Sequence, residues 1–192
     1  DAMEDDLIYA SAGQRLAAYG IDYCIMVLYG MALVSIGLVL GGVVTGPPET
    51  LAGKALAHAL GFFLLTVPTI LYGALMEASS WRATVGKRMM GVFVTSPEGE
   101  TLPLRRTLIR NAIKFAPWEV AHAAIWFVPG RPFVDPMPAF NIFLCFAALA
   151  FWLAYVVMLF TKKGRTAYDR AAHSIVQSFP RPDPAILPDD AG

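Results

Sequence analysis

Long apolar stretches separated by basic segments dominate the pattern along the chain. The first stretch covers about residues 19–44, and Asp22 is its only charged residue. Ser11, followed three residues later by Gln14, forms a capping box that predicts a helix from Ala12. Crossing a bilayer takes about 20 apolar residues in a helix. The pattern therefore predicts an all-α membrane protein with four transmembrane helices, at about residues 19–44, 55–77, 108–129 and 139–160.

The third of these stretches is the least apolar and leaves the number of spans open. Beyond Pro117, the run from Trp118 to Val128 has only eleven residues, which is too short to cross alone. It reaches bilayer length if it extends back to Arg110, with the Arg110 and Lys114 side chains reaching the headgroups. Basic residues concentrate on the cytoplasmic side of membrane proteins. Four crossings place nearly all of them on one side, which favours a multi-pass protein of the cell (inner) membrane with both termini cytoplasmic.

The segments between the spans predict two amphipathic helices on the cytoplasmic membrane surface. Apolar residues recur at Trp81, Val85 and Met89, with basic residues between them, and a second such segment starts at Leu104. A helix of this kind lies in the membrane interface and attracts anionic lipids. Four basic residues are therefore candidates for binding lipid headgroups: Arg82, Lys87, Arg88 and Arg106.

Two short β-like runs follow basic segments on the same predicted side. Neither Val92–Thr95 nor Ser174–Phe179 is long enough to stand alone. We predict that they pair in a small sheet against the membrane face. That pairing would hold Asp169 near one of the basic residues Arg82, Lys87 or Arg88, although Asp169 is also spaced for a local surface pair with Arg165.

Composition supports a membrane protein. Of the 192 residues, 56% are hydrophobic and 16% are charged, whereas soluble domains carry about 25% charged residues. The alternative is a soluble all-α protein with unusually apolar helices. Fifteen basic and fifteen acidic side chains cancel, which gives no indication of nucleic-acid binding. The stretch 1–179 is predicted to be one domain, and the Pro- and Asp-rich tail 180–192 is predicted to be disordered.

Asp22 is the polar residue that most needs an explanation. A carboxylate inside a membrane span is costly and turns towards protein or water. Arg15 and Tyr19 lie on the same face of the predicted helix, but Arg15 lies roughly 10 Å away along the axis and leans in the wrong direction for an ion pair. The partner of Asp22 is expected to be a tyrosine hydroxyl, Arg110, water or a bound cation.

Further polar residues lie in the second and third spans. Glu119 and His122 fall inside the third span, while His58 marks the outer edge of the second. On this placement the two histidines are too far apart to form a metal site, and no metal or cofactor is expected. Pro68 should kink the second span and free a carbonyl group.

The order of these segments resembles that of the RDD family of membrane proteins, which is named for one arginine and two aspartates. The resemblance rests on GQRLAAYGID, RATVGKRMMGVFVTSPEGE, RTLIRNAIKF and GRTAYDRAAHSIV, and extends from about Ala12 to Val176. It implies that Arg15, Asp22 and Asp169 are the residues of the family's name. It also implies a small integral membrane protein, thought of as a transporter of unidentified solutes or ions.

Two functions are compatible with this sequence. The first is a transporter or ion exchanger with Asp22 as the coupling site and Arg15, Tyr19, Arg110, Glu119 and His122 as further candidates for binding an ion or solute. Four spans make a thin pathway, so such a transporter is expected to form a homo-oligomer. The second is a non-transporting membrane module that binds a partner protein or anionic lipid. An enzyme is not expected, because the chain has no HExxH or GxSxG motif.

Overall fold

A computed structural model describes residues 8–39 and 47–179 of the chain. The protein is mostly helical with one small sheet. Its elements are α1 (Ala12–Val39), α2 (Leu51–Gly61), a π-helical turn (Phe62–Thr66), α3 (Val67–Ala78), α4 (Val85–Met89), β1 (Val92–Thr95), α5 (Leu104–Trp126), α6 (Ala139–Leu159), α7 (Ala167–Ala171) and β2 (Ile175–Ser178). The predicted end of the first span at residues 40–44 and the predicted disordered tail lie outside the described residues.

Three helical segments of the described chain are long and apolar enough to cross a membrane. They are α1, the continuous helix from Leu51 to Ala78 that comprises α2, the π-helical turn and α3, and α6. Few of their residues are buried within the protein, so most of their apolar side chains point outward, as lipid-facing side chains do. The fourth predicted span, α5, has 23 residues but is not in this group. Its five charged side chains give it a much lower hydropathy.

Helix α5 nevertheless runs beside the α2–α3 helix from end to end, in the opposite direction. Lys54, near the start of α2, donates from Nζ to the carbonyl of Val128, just beyond the end of α5, at 2.6 Å. At the other end, Asn111 near the start of α5 donates from Nδ2 to Oε2 of Glu77 at 2.9 Å. Helix α6 then returns along α5, because Asn141 near its start donates to the carbonyl of Ala124 at 2.8 Å. The bundle thus has a sheet end, where α1 and α5 start and α3 and α6 finish, and a far end, where α2 and α6 start.

The predicted sheet is present at the sheet end. Strands β1 and β2 pair antiparallel, with Val92 opposite Ser178 and Thr95 opposite Ile175. Their buried side chains form a small core with α1, the segment just before it and the segment between β1 and α5; its members are Ala10, Ala18, Val92, Val94, Leu102 and Val176. An isolated two-stranded ribbon is marginal in water, so the sheet depends on this packing against α1.

The prediction of a surface helix from Trp81 to Met89 is wrong, because the helix there is shorter and is partly buried in the protein. Only α4 is helical there, with Thr84 as its cap, accepting from the backbone N–H of Lys87. Gly86 and Lys87 are buried rather than exposed to lipid headgroups. The physical reason is the glycine, which lets α4 approach the backbone of α1 closely.

Two prolines free carbonyl groups that tyrosines on neighbouring helices then bind. Pro68 has no N–H for the carbonyl of Leu64, four residues earlier, and that carbonyl accepts from the hydroxyl of Tyr29 on α1 at 2.8 Å. Pro117 leaves the carbonyl of Ile113 free in the same way. That carbonyl accepts from the hydroxyl of Tyr155 on α6 at 3.2 Å. The expectation of a freed carbonyl at Pro68 is confirmed, and a π-helical turn directly precedes it.

Candidate functional site

A group of buried charged side chains gathers at the sheet end, and we call it the charge cluster. Its members come from five helices and are each at most 8% exposed: Arg15, Asp22, Glu77, Lys87, Arg110, Lys114 and Asp169. Charged side chains are almost never buried unless they are paired. The pairs they form therefore describe how the cluster is built.

Asp169 is held by two arginines and by the start of its own helix. Arg15 donates from Nη2 to Oδ2 at 2.8 Å, and Arg110 donates from Nε and Nη2 to Oδ1 at 3.0 and 2.8 Å. The backbone N–H and hydroxyl of Thr166 also donate to Oδ2, which completes a capping box on α7. Burial alone would raise the pKa of Asp169, but the guanidinium groups of Arg110 and Arg15 outweigh it and lower the pKa well below its usual range.

These contacts correct two expectations about Asp169. It does not form a local surface pair with Arg165, and its partners are not Arg82, Lys87 or Arg88. The side chain is buried because the first turn of α7 meets Arg15 of α1 and Arg110 of α5. Arg15 also donates from Nη1 to the carbonyl of Gly164 at 2.5 Å, which fixes the loop before α7.

Glu77 is the second acid of the cluster and was not among the candidates from the sequence. Arg110 donates to it from Nη1 at 2.5 Å, and Lys87 forms an ion pair with the same oxygen, Oε1. Arg110 thus bridges Glu77 and Asp169. Burial lowers the pKa of Lys87, and the attraction of Glu77 only partly offsets this. An acid at the end of an apolar span, followed by a basic segment, was the signal that could have identified Glu77.

Asp22 is bound by neutral donors and is 2% exposed. Its Oδ1 accepts from the hydroxyl of Tyr72 at 3.0 Å and from the backbone N–H of Gly86 at 2.9 Å. Its Oδ2 accepts from the hydroxyl of Thr84 at 2.6 Å. Of the expected partners, a tyrosine hydroxyl is present, whereas Arg110 is engaged by the other two acids. Asp22 therefore joins α1 to α3 and to the first turn of α4, and not to α5.

Lys114 has no carboxylate within ion-pair distance among the described residues. Its Nζ lies 4.0 Å from the centre of the Tyr19 ring and 5.3 Å from that of Phe115. The Tyr19 hydroxyl in turn donates to that of Tyr168 at 3.3 Å. With every member ionised, the charge cluster holds four cations (Arg15, Lys87, Arg110, Lys114) against three carboxylates (Asp22, Glu77, Asp169), an excess of one positive charge.

Glu119 and His122 lie with His58 in a separate group at the far end, and we call its two histidines the histidine pair. The ring of His122 lies 4.8 Å from that of His58, centre to centre, so the expectation that the two histidines are too far apart is wrong. They meet because α5 runs the full length of the α2–α3 helix. The predicted ion- or solute-binding residues thus divide between two sites, with Arg15, Tyr19, Asp22 and Arg110 at the sheet end.

The four headgroup candidates have different surroundings. Lys87 is buried, and Arg106 donates to the backbone carbonyls of Ala172 and His173. Arg82 lies over the ring of Phe93 and donates to the carbonyl of Gly99. Arg88 lies over the exposed ring of Trp81, 4.7 Å from its centre. Of the four, Arg88 is the one whose contact is an exposed aromatic ring.

Comparison with known proteins places this arrangement in a family. No match was found among the curated proteins or among the solved structures. The RDD family model, however, matches residues 9–173, a range that includes the charge cluster, the histidine pair and all of the predicted spans. With its long apolar helices, the chain is a multi-pass membrane protein that belongs to the RDD family.

Proposed function

We propose that the protein exchanges protons for small cations across the membrane, with Asp22 as the cation-binding carboxylate and Lys114 as the group that releases the proton. The observation that carries this proposal is the excess cation of the charge cluster. A set of charges that served only to hold helices together would gain most from complete pairing. Among the residues that the structure describes, Lys114 and Asp22 are buried without an oppositely charged partner in contact.

The surroundings of Asp22 suit a hard cation. An ionised carboxylate offers about four lone-pair positions, and the donors at Asp22 occupy three of them. The hydroxyl oxygens of Tyr72 and Thr84 lie against the carboxylate and would add oxygen ligands. Oxygen ligands of this kind are the ones that non-transition-metal cations prefer.

Lys114 couples cation binding at Asp22 to the release of a proton. A buried ammonium group without a counterion costs several kcal/mol. A cation arriving at Asp22 adds positive charge to a cluster that already has an excess, which favours loss of the Lys114 proton. One monovalent cation in and one proton out leave the cluster's charge unchanged, so binding of the one favours release of the other.

The proposal includes four crossings, with α5 as the fourth. Helix α5 is flanked over its length by two candidate spans. It contributes Arg110 and Lys114 to the charge cluster, and Glu119 and His122 to the group at the far end. The charge cluster would then lie at the cytoplasmic side of the cell (inner) membrane, with both termini cytoplasmic, by the distribution of basic residues. Outward-facing apolar surfaces on α1 and α6 leave room for a homo-oligomer.

Proton movement in liposomes tests this function. Purified protein is reconstituted with a pH-sensitive dye inside, and Na⁺ or K⁺ is added outside. We expect cation-driven proton release from the wild type, and loss of that release in Asp22→Asn and Lys114→Gln. Glu98→Gln, an exposed position in the turn after β1, is the matched control and should behave as the wild type.

Stability measured on the same preparations separates coupling from a structural role. If Asp22 is a coupling residue, Asp22→Asn remains monodisperse in detergent while its flux is lost. Flux no greater than that of empty liposomes for the wild type would refute exchange. If Asp22→Asn keeps its flux, whatever its melting temperature, then Asp22 takes no part in the exchange.

The alternative is a non-transporting module that binds anionic lipid or a partner protein, and the Arg88–Trp81 contact favours its lipid form. An arginine over an exposed tryptophan suits the membrane interface, where a basic side chain gains about 1 kcal/mol from anionic lipid. In nanodiscs, anionic lipid should then raise the melting temperature of the wild type more than that of Arg88→Gln. An equal shift in both proteins would count against this alternative.

A further inference from the structure

Three side chains at the far end converge on one point. His58 comes from α2, while Glu119 and His122 come from α5. Oε2 of Glu119 lies 3.6 Å from Nε2 of His58 and 3.6 Å from Nδ1 of His122. Each of the three side chains offers one ligand atom, and these three atoms lie within 4.8 Å of one another. The two 3.6 Å separations lie just beyond hydrogen-bond length.

The two nitrogen atoms that face Glu119 are both left without a partner. His58 Nε2 and His122 Nδ1 are buried and have no hydrogen bond within the part of the chain that the structure describes. Buried polar atoms are nearly always paired, and an unpaired one is costly. Two such atoms aimed at the same carboxylate oxygen indicate that a further group belongs between them.

The surrounding residues hold the three side chains in place. Thr66, the last residue of the π-helical turn, hydrogen-bonds Oε1 of Glu119 through its hydroxyl, which leaves Oε2 for the other two side chains. π-Helical turns are frequent at functional sites. A Cβ atom on Gly61 would lie 2.7 Å from Cε1 of His122, so only glycine lets the imidazole rest against the α2 backbone.

We propose that His58, Glu119 and His122 bind a divalent transition-metal ion, with Zn²⁺ as the ion that fits best. Two imidazoles and one carboxylate form a known ligand set for zinc and leave a fourth position open for water or another ligand. Bonds of about 2.0–2.2 Å place the ligand atoms of a tetrahedral site about 3.3–3.6 Å apart. The two 3.6 Å separations are at the upper end of this range, and rotation of an imidazole would shorten the distance between the histidines.

Metal binding would move a proton within His122. Its Nε2 accepts from the indole N–H of Trp126 at 2.8 Å, so the neutral ring carries its proton on Nδ1. A metal on Nδ1 requires the proton on Nε2, where it would face the indole N–H, and Trp126 then has to turn away. The fluorescence of Trp126 should therefore respond to the metal. No proton is lost to solvent from His122 in this step.

Zinc titration of the purified full-length protein tests the site. The protein is freed of any histidine tag, treated with EDTA and titrated by calorimetry in detergent. We expect one Zn²⁺ per chain, and at least tenfold weaker binding for each of His58→Gln, Glu119→Gln and His122→Gln. The matched control is His173→Asn, which removes the remaining histidine of the chain, at the sheet end, and should not change the affinity. Equal affinity in all five proteins would overturn the proposal.

Cobalt spectroscopy on the wild type does not depend on how the variants fold. Co²⁺ in the site should give the strong visible absorption of tetrahedral coordination, and added Zn²⁺ should abolish it. A spectrum no different from that of Co²⁺ in buffer would rule the site out. Trp126→Phe should retain the cobalt bands and show a smaller zinc-dependent fluorescence change, with the remainder from Trp118, whose ring stacks on His122 at 6.1 Å. Because the site lies at the opposite end from Asp22, its failure would leave the proposed cation exchange standing, and the reverse also holds.

Discussion

A very close approach between two helices at the sheet end occurs at a single glycine. A Cβ atom on Gly86 would lie 2.2 Å from the carbonyl oxygen of Ala18 and 2.9 Å from Cγ of Asp22. No real side chain fits at these distances, so glycine is what allows α4 to touch α1. The same contact lets the Gly86 N–H donate to Asp22. In the Gly-Lys-Arg block, the glycine provides close approach, Lys87 pairs with Glu77, and Arg88 lies over Trp81.

Replacing this glycine should destabilise the protein. In Gly86→Ala the methyl group meets backbone atoms that cannot give way, and overpacking of this kind costs about 1–3 kcal/mol. We expect a lower melting temperature in detergent, measured by intrinsic fluorescence. Gly20→Ala in α1 is the control, because a Cβ there meets nothing within 4 Å and alanine favours a helix interior. Equal melting temperatures for Gly86→Ala and the wild type would show that α4 does not pack this tightly.

At the scale of the elements, two proline–tyrosine pairs join the helices. In each pair a proline in one helix frees a carbonyl, and a tyrosine hydroxyl from the next helix satisfies it. An unsatisfied carbonyl is costly in hydrocarbon, so neighbouring helices have to supply the donor. Tyr29 thus ties α1 to the π-helical turn, and Tyr155 ties α6 to α5. The sheet is the corresponding link between the segment before α5 and the segment after α7.

A designed disulfide tests the register of the sheet. Phe93 and Gln177 face each other across the two strands, and directly opposed residues in antiparallel strands lie about 4.5–5.5 Å apart at Cα, which a disulfide can span. With Cys24 and Cys145 replaced by alanine, Phe93→Cys with Gln177→Cys should cross-link on mild oxidation, seen as a mobility shift that reductant reverses. Phe93→Cys with Val176→Cys points to opposite faces and should stay reduced. Cross-linking of the second pair alone would mean that the register is shifted by one residue.

At the scale of the whole molecule, the polar groups separate to the two ends of an apolar bundle. The charge cluster lies at the sheet end and the histidine pair at the far end, while α5 contributes side chains to both. This explains why α5 is less hydrophobic than its neighbours. Arg110 and Glu119 bind side chains of other helices, Lys114 is buried beside Tyr19, and the helices next to α5 present the apolar surface.

Thiol labelling in intact cells tests how the chain crosses the membrane. In a background without Cys24 and Cys145, Thr50→Cys and Asp135→Cys should react with an impermeant reagent, because both positions lie at the far end. Glu98→Cys, at the sheet end, should react only after the membrane is broken. Labelling of Thr50→Cys without Asp135→Cys would show that α5 does not cross. Labelling of Glu98→Cys in intact cells would reverse the orientation.

Several features of this protein follow from the sequence alone because they depend on neighbouring residues. Hydropathy over a window of residues predicts the spans at α1, α2–α3 and α6. The capping box at Ser11 sets the start of α1, where the N–H of Ser11 and the side chain of Gln14 bond as expected. The spacing of Arg15 and Asp22 along one helix correctly argues against an ion pair between them.

The partners of the charged and titratable side chains were decided only by the tertiary structure. Arg15 meets Asp169 across 154 positions of sequence, and His58 meets His122 only because α5 lies beside α2 in the opposite direction. The periodicity of one helix shows which of its residues share a face, but it carries no information on which helix that face meets or at what height. Which helix a face meets, and at what height, depends on how all of the helices pack together. Close approach at Gly61 and Gly86 fixes two of the contacts.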